Sequence, residues 1–308
     1  MNVSISPVSG QNDDQIQAAI DTVAAAGGGT VTLASGLYEI DGHLGSATDP
    51  AISVKASVWL VLATDSTLRL VNGLSTYLGA IVGPMKGGVG FANGGIIGGV
   101  IDGNRLNVTG LQRGIGSYHS GDSLAPSTNF SVLGVTVQHM RDNGIQPYRS
   151  GVANDPTSGW KISGCFVDDC QGFSYYIDIS HYAVVTNCRA TNGNRGFVTD
   201  GSSNCLVAKC EADGMHRGYS HFRPGGNNTF VDCYAANCTY ECIDVEQGGD
   251  ANLFVRMSLN ASPVGIRIPA VAGWPLPTNT TFMGTTYTDI GTQIVADAGV
   301  GVVFLRVE

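Results

Sequence analysis

Between Gln146 and Glu246 the sequence gathers side chains that can move protons, hold an anion or stack on an apolar ring. Tyr148 and Tyr176 are proton donors or acceptors, Arg149, Arg195, Arg217 and Arg223 are cations, Asp200, Asp244 and Glu246 are carboxylates, and Phe222 is a bare aromatic face. Only four of the sixteen basic residues are Lys, and the planar guanidinium fork of Arg suits bidentate recognition of carboxylates. Two chemistries can be assembled from these parts. In the first, a base removes a proton beside a carboxylate while cations stabilise the developing enediolate. Tyr148 or Tyr176 would be that base, or the acid toward a leaving oxygen, with His216 or His221 assisting and Arg195 and Arg217 neutralising the carboxylate. In the second, two carboxyls roughly 5–9.5 Å apart hydrolyse a glycosidic bond. Asp200 with Glu246 is one such pair, and Asp178 and Asp244 are further candidates. A structural role competes with each: Arg195 and Arg217 both precede Gly and could bond turn carbonyls, and surface acids serve solubility.

What must position these residues is an internal repeat. From about residue 129 to 269 one phrase returns, a short apolar strand, a polar turn, then a Gly or small residue with a large apolar one. Its instances are Asn143-Gly144-Ile145, Gln171-Gly172-Phe173, Arg195-Gly196-Phe197, Arg217-Gly218-Tyr219, Glu241-Cys242-Ile243 and Val264-Gly265-Ile266, whose large residues are 28, 24, 22, 24 and 23 positions apart. Cys165, Cys188, Cys210 and Cys233 keep the same time, separated by 23, 22 and 23. This period, with two or three strands per turn, predicts a parallel β-helix in which equivalent residues stack at about 4.8 Å. The leucine and asparagine pattern of leucine-rich repeats is missing. The Cys row then reads as an interior ladder of buried thiols rather than a metal or catalytic site.

Side chains alternate along a strand. With Ile145, Phe173, Phe197, Tyr219, Ile243 and Ile266 inward, the next positions face out: Gln146, Ser174, Val198, Ser220, Asp244 and Arg267. Two further on, a second outward row reads Tyr148, Tyr176, Asp200, Phe222, Glu246 and Pro269. Aromatics flanked by acids and arginines suit the faces and hydroxyls of sugar rings. The catalytic candidates are therefore Tyr148, Tyr176, Arg195, Asp200, His216 and Arg217, and the binding candidates Gln146, Arg149, Phe222, Arg223, Asp244 and Glu246. His221 falls inward by strict alternation and reads as a core histidine.

The remaining sequence narrows the class. With 43 Gly among 308 residues and 13% charged residues, the composition argues for many strands and tight turns and against disorder. A net charge of −9 gives no basic footprint for nucleic acid, and no apolar run is long enough for a membrane span. Met1–Ser6 does not resemble a signal peptide. Helical spacing of Ile16, Ala19, Ile20 and Val23 after Asp13 or Asp14 predicts one helix, at about 13–26, ended by Gly27-Gly28-Gly29. Thr30–Leu33 and Tyr38–Ile40 follow as strand, turn, strand. The expected architecture is an all-β single domain over 1–308, with a cap at about 1–40, regular coils at about 96–270 and a closing coil at about 279–308.

The stretch from Asp14-Gln15-Ile16-Gln17-Ala18-Ala19-Ile20 through Gly27-Gly28-Gly29-Thr30-Val31-Thr32-Leu33 to Gly36-Leu37-Tyr38 resembles the N-terminal cap of pectate-lyase-like right-handed β-helix proteins. Ile101-Asp102-Gly103-Asn104-Arg105-Leu106-Asn107 resembles the Leu-Asp-Gly-Asn-Arg-x-Asn segment in the catalytic module of mannuronan C5-epimerases of alginate. Val137–Tyr148 is similar to the coil of that family that ends in Tyr-Gly-Phe-Asp-Pro-His, but the family's catalytic Tyr, Asp and His fall on Asn143, Gln146 and Tyr148. A later Arg-His-Gly corresponds to Asn194-Arg195-Gly196, with His216-Arg217-Gly218 one coil on. The resemblance implies a protein that processes a polysaccharide containing uronic acid by β-elimination or epimerisation. A tailspike-like depolymerase working by hydrolysis is the alternative, and a glycan-binding spike or adhesin a third. It also implies an extracellular or virion-associated protein with a polysaccharide partner, a homotrimer in the manner of adhesins and tail proteins of this fold, and no cofactor other than Ca2+, which would suit a lyase.

Overall fold

The computed structural model describes residues 1–10, 12–84, 93–117, 127–156, 158–246, 251–271, 277–296 and 301–307. The chain winds as a parallel β-helix. Every coil-to-coil pairing of its strands is parallel, as in Ile162↔Val185↔Val207↔Phe230↔Phe254 on one face and Tyr175↔Phe197↔Tyr219↔Ile243↔Ile266 on another. Three strands per coil build sheets that we call A, B and C in the order the chain meets them. Among the described residues no helix is long and apolar enough to cross a membrane.

The predicted helix spans Asn12–Ala25 and buries Ile16, Ala19, Ile20 and Val23 against the first coil. Strands Gly29–Leu33 and Gly36–Ile40 follow, as the sequence suggests, and each pairs with its counterpart one coil on rather than with the other. The regular coils begin here, well before residue 96. Thr30 pairs with Trp59, Trp59 with Gly95 and Gly95 with Ser131, so these first coils are much longer than the later period and hide the repeat. At the far end Thr278–Thr288 pairs with Gly301–Val307.

Inside, like stacks on like. Phe230, Phe254, Phe282 and Phe304 form a ladder with centroids 4.6, 4.7 and 5.1 Å apart, and Tyr175, Phe197 and Tyr219 form another at 4.6 and 5.2 Å. The spacing follows from strand separation, and offset rings gain packing beyond their buried area. Cys165, Cys188, Cys210 and Cys233 line the corner between sheets A and B as buried free thiols. Each donates to a carbonyl of the preceding coil, from 3.4 to 3.8 Å. The hydroxyls of Tyr175 and Tyr219 cross the core to reach the carbonyls of Cys165 and Cys210, at 2.8 and 2.7 Å.

From Gly134 onward, each corner between sheets A and B turns through a residue of positive φ. These are Gly134, Gly164, Asn187, Lys209, Asp232, Arg256 and Gly284. Gly and Asn reach this region at little cost, which explains part of the unusual Gly and Asn content.

Candidate active site

The outer face of sheet C collects most of the chemically capable side chains, but in a register that differs from the sequence expectation in one coil. Tyr175, not Phe173, pairs with Ile145 and Phe197 on the inside. The outward rows are therefore Gln146, Tyr176, Val198, Ser220, Asp244 and Arg267, and next to it Tyr148, Asp178, Asp200, Phe222 and Glu246. Tyr176 moves to the first row and Asp178 takes the place expected for it. The misplacement has a local cause. The slot before the inward residue needs a small side chain: Gly144, Gly196 and Gly218 would put a Cβ 2.5–2.7 Å from neighbouring atoms. Ser174 fills that slot as well as Gly172 does in the sequence pattern, and Phe173 turns out at the corner.

A third row lies at that corner: Phe173, Arg195, Arg217 and Glu241. Glu241 was not singled out by the sequence, although it stands two residues before Ile243 as each arginine stands two before its aromatic. The arginines bind these acids rather than turn carbonyls. Arg217 Nε is 2.6 Å from Glu241 and 3.3 Å from Asp244, and Arg195 reaches Asp244 at 3.3 Å and Glu246 at 3.6 Å. Arg267 holds the other Glu241 oxygen at 2.8 Å. Arg195 lies over the Phe222 ring at 4.1 Å and over Phe173 at 5.8 Å. Burial and the neighbouring Arg217 lower its pKa. Burial first, and then Glu246, push the Asp244 carboxyl up to about 8.

The second centre is the pair Asp178 and Asp200, opposite each other on adjacent strands. Both are almost fully buried. Asp200 accepts the Tyr176 hydroxyl at 2.6 Å and pairs with Arg223 at 3.2 Å. Among the described residues, the Asp178 side chain receives only the Gln146 amide, at 3.3 Å, which is itself held by Asn143 at 2.9 Å. Burial and the neighbouring Asp200 raise the Asp178 carboxyl to about 7, and burial raises the Tyr176 hydroxyl beyond the ordinary tyrosine range. The environments of two like groups thus differ, since Asp200 has a cation and a hydroxyl beside it and Asp178 an amide. Directly after Asp178, Ile179 has a φ of 48°, a conformation costly for a β-branched residue.

Tyr148 pairs with Asp178 across the neighbouring coil and stacks under Arg149, whose guanidinium is 5.5 Å from its ring. Arg149 and Arg223 both occupy the positive-φ corner that follows this row, and Arg223 is exposed. His216 is not brought to the carboxylates. It lies stacked on Tyr240 at 5.2 Å, about 20 Å along the strand from Phe222. His221 points into the core, bonded to Thr199 at 2.8 Å, and burial lowers it to about 4. The Asp102–Asn107 segment lies elsewhere, lining with Arg69, His139 and Asp169 a cavity of about 200 Å³.

Residues 92–268 match the family model described as the right-handed β-helix region. Among curated proteins, Mannuronan C5-epimerase AlgE5 of Azotobacter vinelandii is 29% identical over 213 residues, covering 61% of this chain and 21% of its own length. Alginate lyase 7 of the same organism is 32% identical over 200 residues, covering 63% of this chain and 22% of its own. The chain thus spans about a fifth of the length of each of these two curated relatives. Among solved structures, the A-module of Azotobacter vinelandii Mannuronan C-5 epimerase AlgE4 superposes with a TM-score of 0.73 at 19% identity, over 99% of this chain and 92% of the module.

Proposed function

The chain belongs to the right-handed β-helix family, and from that premise we propose that it processes a uronic-acid polysaccharide along sheet C, with Asp178 moving the proton. The observation that carries this reading is the Asp178 carboxyl, raised to about 7 by burial and by Asp200, so that near neutrality it can both accept and donate. The substrate class follows the relatives, whose names specify mannuronan and alginate.

Ionised Asp178 takes the C5 proton beside the sugar carboxylate, and the electron pair passes into that carboxylate as an enediolate. The Tyr148 hydroxyl, one coil away, returns a proton. Delivered to the departing O4 as the C4–O4 bond breaks, it completes β-elimination; delivered to the opposite face of C5, it completes epimerisation. Arg223 and Arg149, at the edge of the row, stabilise the developing charge. Arg195 and Arg217 are bound to Asp244, Glu246 and Glu241 and hold the groove floor instead. Gln146 positions the carboxyl of Asp178, while Phe173 and Phe222 offer apolar faces to sugar rings.

One observation favours hydrolysis as the second reading. Arg195, Arg217, Arg223 and Arg267 are already matched by Asp200, Glu241, Asp244 and Glu246, which leaves little surplus positive charge for a uronate. Asp178 would then protonate the glycosidic oxygen and Asp200, at a strand spacing of about 4.8 Å, would be the nucleophile, close to the separation of retaining enzymes. Incubation with alginate, pectate and a bacterial capsule separates these routes. Elimination raises absorbance near 235 nm together with reducing ends, hydrolysis raises reducing ends alone, and epimerisation changes only the proton NMR spectrum of the recovered polymer. An Asp178→Asn variant that keeps the measured activity overturns both routes as assigned.

A further inference from the structure

At the opposite end of the solenoid, the first turn of the cap helix meets the chain leaving strand Gly36–Ile40. One ligand-capable atom from each of Asp13, Asp41 and His43 lies within 4.8 Å of the others. Asp13 is fully buried. Its Oδ2 accepts the Gly42 amide at 3.0 Å and is 3.4 Å from His43 Nδ1, while its Oδ1 has no hydrogen-bond partner. Asp41 also contacts His43 Nδ1. On the other side of the ring, Nε2 is 3.1 Å from Asp14 Oδ1.

A neutral imidazole carries one proton. Given to Asp14 through Nε2, it leaves the Nδ1 lone pair facing two carboxylates, all acceptors. Given to Nδ1, it satisfies one of the two acids there and leaves Asp14 with a bare nitrogen. A buried carboxylate oxygen without a donor is costly, and two acids crowded on one nitrogen add to that cost. A ring protonated on both nitrogens would answer Asp14 and one acid at Nδ1 but still leave Asp13 Oδ1 without a donor, whereas a cation among Asp13, Asp41 and Nδ1 answers all three acids at once. Asp14 then has the part usual beside a metal-bound imidazole, a carboxylate that accepts the distal N–H and fixes the ring.

We propose that Asp13, Asp41 and His43 Nδ1 bind one divalent cation of the zinc type, with Asp14 as the positioning residue. Two carboxylates and an imidazole give three ligands of the kind zinc takes, with a fourth position open to water beside the part-exposed His43 and Asp41. Calcium wants six to eight oxygens, which this cluster does not offer. The cation joins the helix to a loop that lies a full coil later in the chain, and so locks the cap over the open end of the β-helix.

The test uses untagged protein stripped with a chelator and titrated with Zn2+, Mn2+ and Ca2+ by calorimetry and thermal unfolding. One equivalent of Zn2+ should bind and raise Tm, and chelator should reverse the rise. His43→Ala, at a part-exposed position, should weaken binding at least tenfold, and Asp14→Asn by about 10–100-fold. Both variants keep all eight thiols, so zinc captured by cysteine would survive His43→Ala. Such survival, the absence of stoichiometric binding to wild type, or a preference for Ca2+ over Zn2+ overturns the proposal.

Discussion

Asp178 and Asp200 stand at one register position on adjacent coils, yet only Asp200 is paired with a cation and a tyrosine hydroxyl. The asymmetry is built by the neighbours, because the two strands present the same residue type to the same face.

One consequence is a trade between activity and stability. The folded-state pKa of Asp178, about 7, lies above its ordinary value of 3.8. Its proton therefore stabilises the fold fully below about pH 4, and that contribution is lost as pH rises to about 7. The difference is on the order of a few kcal/mol. Asp178→Asn should melt higher than wild type at pH 8, and by less at pH 4, while losing about 10²–10⁴-fold in rate. Thermal melts at both pH values check the first part.

The pH–rate profile separates the two routes. If Asp178 is the base of an elimination or epimerisation, the rate rises through about pH 7 as it ionises; if it is the acid of a hydrolysis, the rate falls there.

Arg195 and Arg223 should behave differently on truncation. Arg195→Ala leaves the buried Asp244 with one cation fewer and removes the guanidinium from the Phe222 ring, so about 3–5 kcal/mol of stability should go, by urea unfolding. Arg223→Ala removes an exposed guanidinium from the buried Asp200, which keeps the Tyr176 hydroxyl, so about 1–3 kcal/mol should go and KM for the polysaccharide should rise.

Ile179→Gly should stabilise. The side chain is exposed and its φ of 48° is unfavourable, so relief of about 1 kcal/mol is expected, set against the greater freedom of Gly in the unfolded chain. Replacement by Asn, which tolerates this region, should give part of the same gain. A loss of stability in both variants would contradict the strain.

Much of the fold was legible because the interior repeats itself. Cys165, Cys188, Cys210 and Cys233 keep one beat, Phe197 and Tyr219 keep another, and from Phe197 onward they set the register of sheet C correctly. The site was legible in composition but not in arrangement. One longer coil between Ile145 and Tyr175 displaced Tyr176 and Asp178 by two residues, and the Gly-large phrase cannot tell a corner Phe from an interior Tyr when Ser replaces Gly. Glu241 escaped notice because its function depends on arginines of the two neighbouring strands. The Asp13, Asp41 and His43 cluster was invisible for the same reason: nothing in the sequence brings its members together except the winding of the first coil.

The tyrosines that cross the core have a mechanical meaning. Tyr175 and Tyr219 act as tie-rods, each pinned by its hydroxyl to the backbone of the opposite corner, on the strands that carry Asp178 and Phe222. A wall braced from behind resists bending to meet its guest. The groove is therefore a rigid template, and a glycan chain must already hold, or pay to adopt, the shape that its row of side chains demands.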